Sequence, residues 1–211
     1  MQYPAATSFI VLNPSTIHLL QFIPPDEVPA VCHAVVPELR DVRTVLFAVN
    51  SAESADAPRA GMHWSAGVLH RGVQPGVVHA VHADSTAEAL NQDHFIECVL
   101  PGMAALVKAA GWLDSAPGQP VCHLHTTCLQ APLQLSGNDC GPCACATLCA
   151  WATAAVGDSG VDLREVELVP PDVRALRASL YQLAQSIRKD GIATASAALL
   201  PGLLDDDMPL G

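Results

Sequence analysis

Lysine is nearly absent from these 211 residues: Lys108 and Lys189 are the only two. Lys and Arg together number 10 against 21 Asp and Glu, a formal charge of −11. Binding to nucleic-acid phosphates needs clustered Lys and Arg, so this balance argues against a nucleic-acid partner. Long apolar runs are missing as well, although half of the residues are apolar. None reaches the roughly 18–20 residues required to span a bilayer, so no membrane association is expected. No charged stretch precedes the apolar Ser8-Phe-Ile-Val-Leu12, so the N-terminus does not read as an export signal. No internal repeat is visible. These absences leave a soluble globular chain, expected in the cytoplasm and/or nucleus. At about 100–200 residues per domain, its length suits a single domain over 1–211 with a substantial core.

Cysteine, by contrast, is plentiful, with eight in all. In a chain of this length without an export signal, reduced thiols, metal ligands or a nucleophile are the readings to weigh, ahead of a disulfide framework. Cys140, Cys143, Cys145 and Cys149 fall within ten residues, and the chemistry is sought there.

The pattern along the chain predicts an α+β fold with a mixed sheet. Asn13-Pro14-Ser15 opens a short helix, since Pro suits a first turn. Thr44–Asn50 is a compact β-branched run and predicts a buried strand. Residues 51–61 read as a polar loop. His63–His70 and Val77–Ala83 predict two strands joined by the Gln74-Pro75-Gly76 turn. Residues 86–111 are helical in character, with Pro101 as a break or kink. A loop over 116–120 leads to a strand over 121–129, then a turn-rich loop over 130–139. A helix of small apolar residues over 140–156 follows. Pro170-Pro171 opens a last helix to about Lys189, and 191–211, with Asp205-Asp-Asp207, reads as a tail.

The segment Gln134-Leu-Ser-Gly-Asn-Asp-Cys140-Gly-Pro delivers Cys140 to a helix start. Free N–H groups and the helix dipole there favour an anion, hence the reactive thiolate. A nucleophilic cysteine needs a base, and the base an orienting group. His63 opens the first hairpin strand and Asp84 follows the second, so pairing brings these positions together from 21 residues apart. Oxyanion donors are also required. The Cys140 N–H is one candidate and the Gln134 side-chain amide another.

These motifs carry a resemblance. His63-Trp64-Ser65, Asp84-Ser85, and Gln134 six places before Asp139-Cys140-Gly141 resemble the Ulp1/sentrin-specific family of ubiquitin-like-protein cysteine proteases. The likeness is closest to the NEDD8-specific branch. Ser8-Phe-Ile with Pro14, Val45–Asn50 and the closing helix fall in the family's order, so the resemblance spans about 7–190. It implies the Ulp1-like fold, with His63 as general base, Asp84 as its orienter, Cys140 as nucleophile and Gln134 at the oxyanion hole. It implies Trp64 as a wall of the channel that admits a Gly-Gly C-terminus. The implied reaction is hydrolysis after that Gly-Gly in NEDD8, or next in SUMO, and in conjugates such as those of cullins. No cofactor is implied.

The sequence departs from the family pattern at Ser136, where an Asn is usual, and at Asn138, where an aromatic is frequent. The family's Trp-Leu-rich first segment has no counterpart ahead of Ser8. A binding module that holds a ubiquitin-like protein with little turnover therefore stands as one alternative. Cys140-Gly-Pro-Cys143 is also the dithiol sequence of thioredoxins, so a thiol–disulfide oxidoreductase is another. That fold expects a Trp beside the cysteine and a strand directly before it, whereas here Asp139 and a loop precede. Cys145 and Cys149, four apart, read as small core residues. Cys122, His123, His125 and Cys128 suggest zinc until strand alternation is applied. It separates the cysteines from the histidines, and no metal site is predicted.

Overall fold

The computed structural model describes residues 9–51, 63–87, 91–114, 123–157 and 162–190. The chain forms two compact units, Met1–Pro170 and Pro171–Gly211. Ser8, the loops expected over 52–61 and 116–120, Cys122 and the 191–211 tail lie outside the described residues.

The first unit is built on a five-stranded sheet in the order β1-β2-β3-β4-β5, with β1 Phe9–Val11, β2 Thr44–Asn50, β3 Trp64–Arg71, β4 Val77–Asp84 and β5 His123–Gln130. The central β2-β3 and β3-β4 pairs are antiparallel, and β1-β2 and β4-β5 are parallel. The sheet is therefore mixed and the class α+β, as the sequence pattern predicts. The β3-β4 hairpin turns at Gln74-Pro75-Gly76, where Gly76 adopts φ 78°, a left-handed conformation that glycine accepts at little cost. The Val77 N–H donates to the Gln74 carbonyl at 3.2 Å and closes the turn.

Side chains alternate between two buried faces. Val45, Phe47, Val49, Leu69, Val78 and Ala80 enter a core with α1 (Pro14–Leu20), α2 (Val28–Val31), α3 (Val36–Arg40) and α5 (Leu100–Ala109). Leu46, Ala66, Val68, Val81 and Ala83 enter a second core with Ala144 and Trp151 of α6 (Cys140–Gly157). That double coverage is why β2 reads as an unbroken apolar run. Gly67 permits the first core to close, because a Cβ there would lie 2.3 Å from the Phe47 ring. Helix α1 is capped by Asn13, whose side-chain oxygen accepts from the Ser15 N–H at 2.8 Å, with Pro14 at its start.

Two details differ from expectation. Thr86 is not helical, because the Asp84 side chain holds its N–H in a local turn. Helix α4 (Asn91–His94) passes through a π-helical turn, Phe95–Val99, into α5. Pro101 therefore sits in the first turn of α5 instead of kinking a continuous helix. Helices α2 and α3 were not expected. Each has a proline in its first turn and is too short to show a helical period.

On α6, Cys140, Cys143, Ala144, Thr147, Trp151 and Ala155 form the buried stripe. Cys145 is half-buried and Cys149 exposed, which corrects their reading as core residues: both lie off the face packed on the sheet. The second unit contains α7 (Val173–Asp190), where Asp172 caps the helix by accepting from the Ala175 N–H at 2.9 Å. Among the described residues, no helix is long and apolar enough to cross a membrane.

Candidate active site

One end of the sheet gathers the motif residues. The register pairs Asn50 with Trp64 and Asp84 with Gln130, so the ends of β2, β4 and β5 meet the start of β3. His63 directly precedes β3. Its backbone is clasped by Ser51, whose N–H donates to the His63 carbonyl and whose hydroxyl accepts from the His63 N–H, both at 3.1 Å. This clasp sets the ring at the sheet end. His63 Nε2 lies 2.7 Å from Asp84 Oδ1, with the two residues only 5% and 2% exposed. With a proton on Nε2 donated to the carboxylate, Nδ1 becomes the basic nitrogen of the ring.

Asp84 is itself held by residues the sequence reading did not single out. Its Oδ1 also accepts from the Thr86 N–H at 2.9 Å and the Thr86 hydroxyl at 3.0 Å. Gln130 Nε2 donates to the Asp84 carbonyl at 2.9 Å and the Thr86 carbonyl at 3.1 Å. An Asp followed two places later by Thr is a sequence signal for such a turn. Gln130 carries no comparable local signal.

The loop over 131–139 starts from this end and returns to it. The Ala131 N–H donates to the Asp84 carbonyl at 2.8 Å and the Gln134 N–H to the Ser85 carbonyl at 2.9 Å. The Ser85 hydroxyl donates to Gln134 Oε1 at 3.1 Å. With its oxygen occupied, the Gln134 amide keeps Nε2 as a donor. Ser85 belongs to the Asp84-Ser85 motif, and its hydroxyl orients the Gln134 amide.

Cys140 then opens α6 and is 7% exposed. The first α6 turn is closed by the Cys143 N–H on the Asp139 carbonyl at 2.9 Å. Pro142 carries no N–H, so Cys140 and Gly141 supply the first-turn donors ahead of Cys143. The Cys143 thiol shares the Ser85 hydroxyl and lies in the field of Cys140 and Asp139. Burial raises its pKa most, Asp139 and Cys140 add to the rise, and Ser85 opposes it. The hydrogen bonds therefore tie His63 to Asp84 and Gln134 to Ser85. Among the described residues, no hydrogen bond joins Cys140 to His63.

Trp64, half-buried, lines a cavity of about 350 Å³ with Pro14, His18, Gln21, Ala48 and Asn50. Beneath the pair, His82 stacks on Phe95 at 4.7 Å and bonds Ser65 Oγ through Nε2 at 2.7 Å. Burial pushes His82 down to about 4, against the pull of Asp84. His82 is therefore a neutral supporting group. Among the described residues, no three His, Cys, Asp or Glu side chains converge as metal ligands.

No family model and no curated relative matches the sequence. Solved structures do. The Xanthomonas campestris effector protein XopD, bound to ubiquitin, superposes with a TM-score of 0.55 at 19% identity, over 85% of this chain and 80% of that one. The SUMO protease Ulp1, with its catalytic cysteine oxidised to a sulfonic acid, gives 0.53 at 15%, over 81% of this chain and 65% of that one. A de-sumoylating protease gives 0.52 at 12%, over 92% and 79%. At these identities the likeness is one of fold: the chain has the Ulp1-like fold.

Proposed function

We propose that this chain is a cysteine-type peptidase that cleaves after the C-terminal Gly-Gly of a ubiquitin-like protein. The observation that carries the reading is the buried His63–Asp84 pair, 2.7 Å apart, at the sheet end to which the 131–139 loop returns before Cys140 opens α6. The similar structures support it, being named as proteases of SUMO or bound to ubiquitin. NEDD8 is the first substrate proposed and SUMO the second, with their conjugates, including those of cullins, as partners. The NEDD8 preference rests on the sequence resemblance. Action in the cytoplasm or nucleus is proposed with it.

In this mechanism Nδ1 of His63 takes the Cys140 thiol proton as the sulfur attacks the carbonyl carbon of the last glycine. The oxyanion meets the Cys140 N–H and the Gln134 Nε2 amide. His63, its Nε2 held by Asp84, passes a proton from Nδ1 to the leaving amine and leaves a thioester. Water, deprotonated by Nδ1, then hydrolyses the thioester and restores the thiol. Trp64 walls the channel beside the attacked carbonyl.

C-terminal electrophile probes built on NEDD8, SUMO and ubiquitin test the reading. Covalent capture should disappear in Cys140→Ala and His63→Ala, and the probe captured fastest names the substrate. Capture that survives both substitutions would remove the assignment. Tight binding of the unmodified proteins without capture would favour the binding module.

A further inference from the structure

The two edges of the sheet differ in how they are protected. β1 offers only three residues, Phe9–Val11, and a short edge strand is a poor template for pairing with another chain. β5 forms the opposite edge and runs for eight residues, His123–Gln130. Its register on β4 is unbroken, from Val77 opposite His123 to Asp84 opposite Gln130, so no bulge twists it away. The strand holds no proline, and no Asp, Glu, Lys or Arg occurs anywhere from 115 to 138. β5 thus lacks the shortness, bulge, proline and charge that keep a free edge from pairing.

The ladder bonds fix which backbone groups face outward. The His123 N–H donates to the Gly76 carbonyl at 3.0 Å and the Ala131 N–H to the Asp84 carbonyl at 2.8 Å, both on the β4 side. Backbone direction alternates along a strand, so the odd-numbered residues between them also turn to β4. Leu124, Thr126, Cys128 and Gln130 therefore turn their N–H and C=O away from β4. Among the described residues, no backbone group pairs with them on that side. Nor are the faces of the strand covered: His123 and His125 are exposed on one, Thr126 and Gln130 on the other.

From these observations we propose that β5 pairs antiparallel with β5 of a second copy of this chain, joining the two sheets about a two-fold axis. Charge and symmetry select this occupant. At a formal charge of −11, two copies repel where acidic surfaces meet, and the stretch around β5 lets them meet without like charge. An uncharged edge gives a basic partner nothing to select. A two-fold interface must also be complementary to itself. With Thr127 on the axis, Thr126 lies opposite the partner's Cys128 and Leu124 opposite the partner's Gln130. Residues so paired exchange both hydrogen bonds, and no outward N–H or C=O of the strand is left over. Any other axis position leaves at least one of the four without a partner inside β5. Thr127 then faces the partner's Thr127 where side chains approach most closely, a favourable pair, and His125 faces the partner's Leu129. The short β1 strands end the joined sheet on both sides, so assembly stops at two copies. The surface requires nothing of Cys140 and stands independently of the peptidase reading.

The test uses the full chain in sedimentation velocity and light scattering from about 1 to 500 μM, the range suited to a small interface. The mass should rise from 22.0 kDa toward twice that value and no further. In NMR hydrogen exchange, the Leu124, Thr126, Cys128 and Gln130 amides should gain protection over the same range. Thr126→Pro removes an outward N–H and no bond to β4, a position at which an edge strand accepts proline. It should keep the urea midpoint of wild type and raise the dimer dissociation constant at least about tenfold. Should Thr126→Pro fail to fold, Thr126→Lys replaces it, with the same weakening expected from a charge on the exposed edge. Thr127→Cys places two thiols across the axis within disulfide reach, and under mild oxidation it should crosslink at least about tenfold faster than wild type. A mass of 22.0 kDa throughout, growth past the dimer, equal association in the edge variant, or Thr127→Cys crosslinking no faster than wild type would overturn the proposal. So would amide protection already present in the monomer, since a segment of the same chain would then cover the edge.

Discussion

Replacing Asp84 probes how the proposed base is held. Its Oδ1 accepts three hydrogen bonds, from His63 Nε2, the Thr86 N–H and the Thr86 hydroxyl, at a residue 2% exposed. Asp84→Asn preserves the shape and one acceptor oxygen but removes the charge. Hydrogen bonds to a charged group contribute about 1.5–3 kcal/mol and neutral ones about 0.5–1.5, so the His63 bond weakens by about 1–2 kcal/mol. At about 1.4 kcal/mol per decade, that predicts a fall of roughly 5- to 30-fold in kcat/KM. Asp84→Ala removes the acceptor altogether, both from the buried His63 ring and from the half-buried Thr86 N–H and hydroxyl. Each stranded donor costs about 1–3 kcal/mol before water enters, so a net stability loss of about 2–5 kcal/mol is expected. Activity should fall a further tenfold or so, because the ring also loses its orientation. The measurements are kcat/KM on a fluorogenic C-terminal amide of whichever ubiquitin-like protein the probes select, and urea midpoints for stability. An Asp84→Ala protein that folds and turns over within about threefold of wild type would refute the argument.

Further predictions concern stability and redox chemistry. His82 has a folded pKa of about 4 against an ordinary 6.5, so the unfolded chain binds more protons between those values. The stabilisation is complete above about pH 6.5 and is lost as pH falls toward 4, by about 3 kcal/mol for this one group. His82→Gln should flatten the fall of the unfolding midpoint between pH 7 and 5; an identical slope would sink the assignment. Gly67→Ala places a methyl 2.3 Å from the Phe47 ring and should cost about 1–3 kcal/mol. Shortening the ring with Phe47→Leu should then be less damaging in the Gly67→Ala background than alone, and strict additivity would contradict the clash. Cys140 and Cys143 lie three residues apart in the first turn of α6, both buried. After peroxide converts Cys140 to its sulfenic acid, the Cys143 thiol should displace water and form a disulfide that a reductant reverses. Cys143→Ser should keep peptidase turnover but lose that recovery, and equal recovery in both proteins would count against the pairing.

The strands and the long helices were legible because their patterns are local. Thr44–Asn50 is bounded as its β-branched run suggests, and β3 and β4 end within a residue of expectation because a Pro-Gly turn separates two apolar runs. The short helices α2 and α3 were illegible, since four or five residues cannot display a 3.6-residue period. The π-helical turn at Phe95–Val99 was hidden for a related reason: it changes the hydrogen-bond offset without changing composition. Within the candidate site, the motif residues were visible by type and order. Thr86, Gln130 and the part played by Ser85 were not, because they hold Asp84 and Gln134 in place, and such support shows no spacing of its own.

The sequence by itself determined the mixed α+β class, the delivery of a cysteine to a helix start, and the placement of a histidine and an aspartate at matching ends of one hairpin. Each follows from local preference: β-branched runs extend, Pro and Gly turn the chain, and small apolar residues wind into a helix. The tertiary structure alone decided that His63 and Asp84 bond through Nε2, that Ser85 turns the Gln134 amide, and that Leu124, Thr126, Cys128 and Gln130 turn their backbone groups to an open edge. Those outcomes depend on strand register and on a loop folding back to the sheet. Register places residues far apart in the chain opposite one another, and its physical origin is burial of both sheet faces at once, which no single stretch of sequence displays.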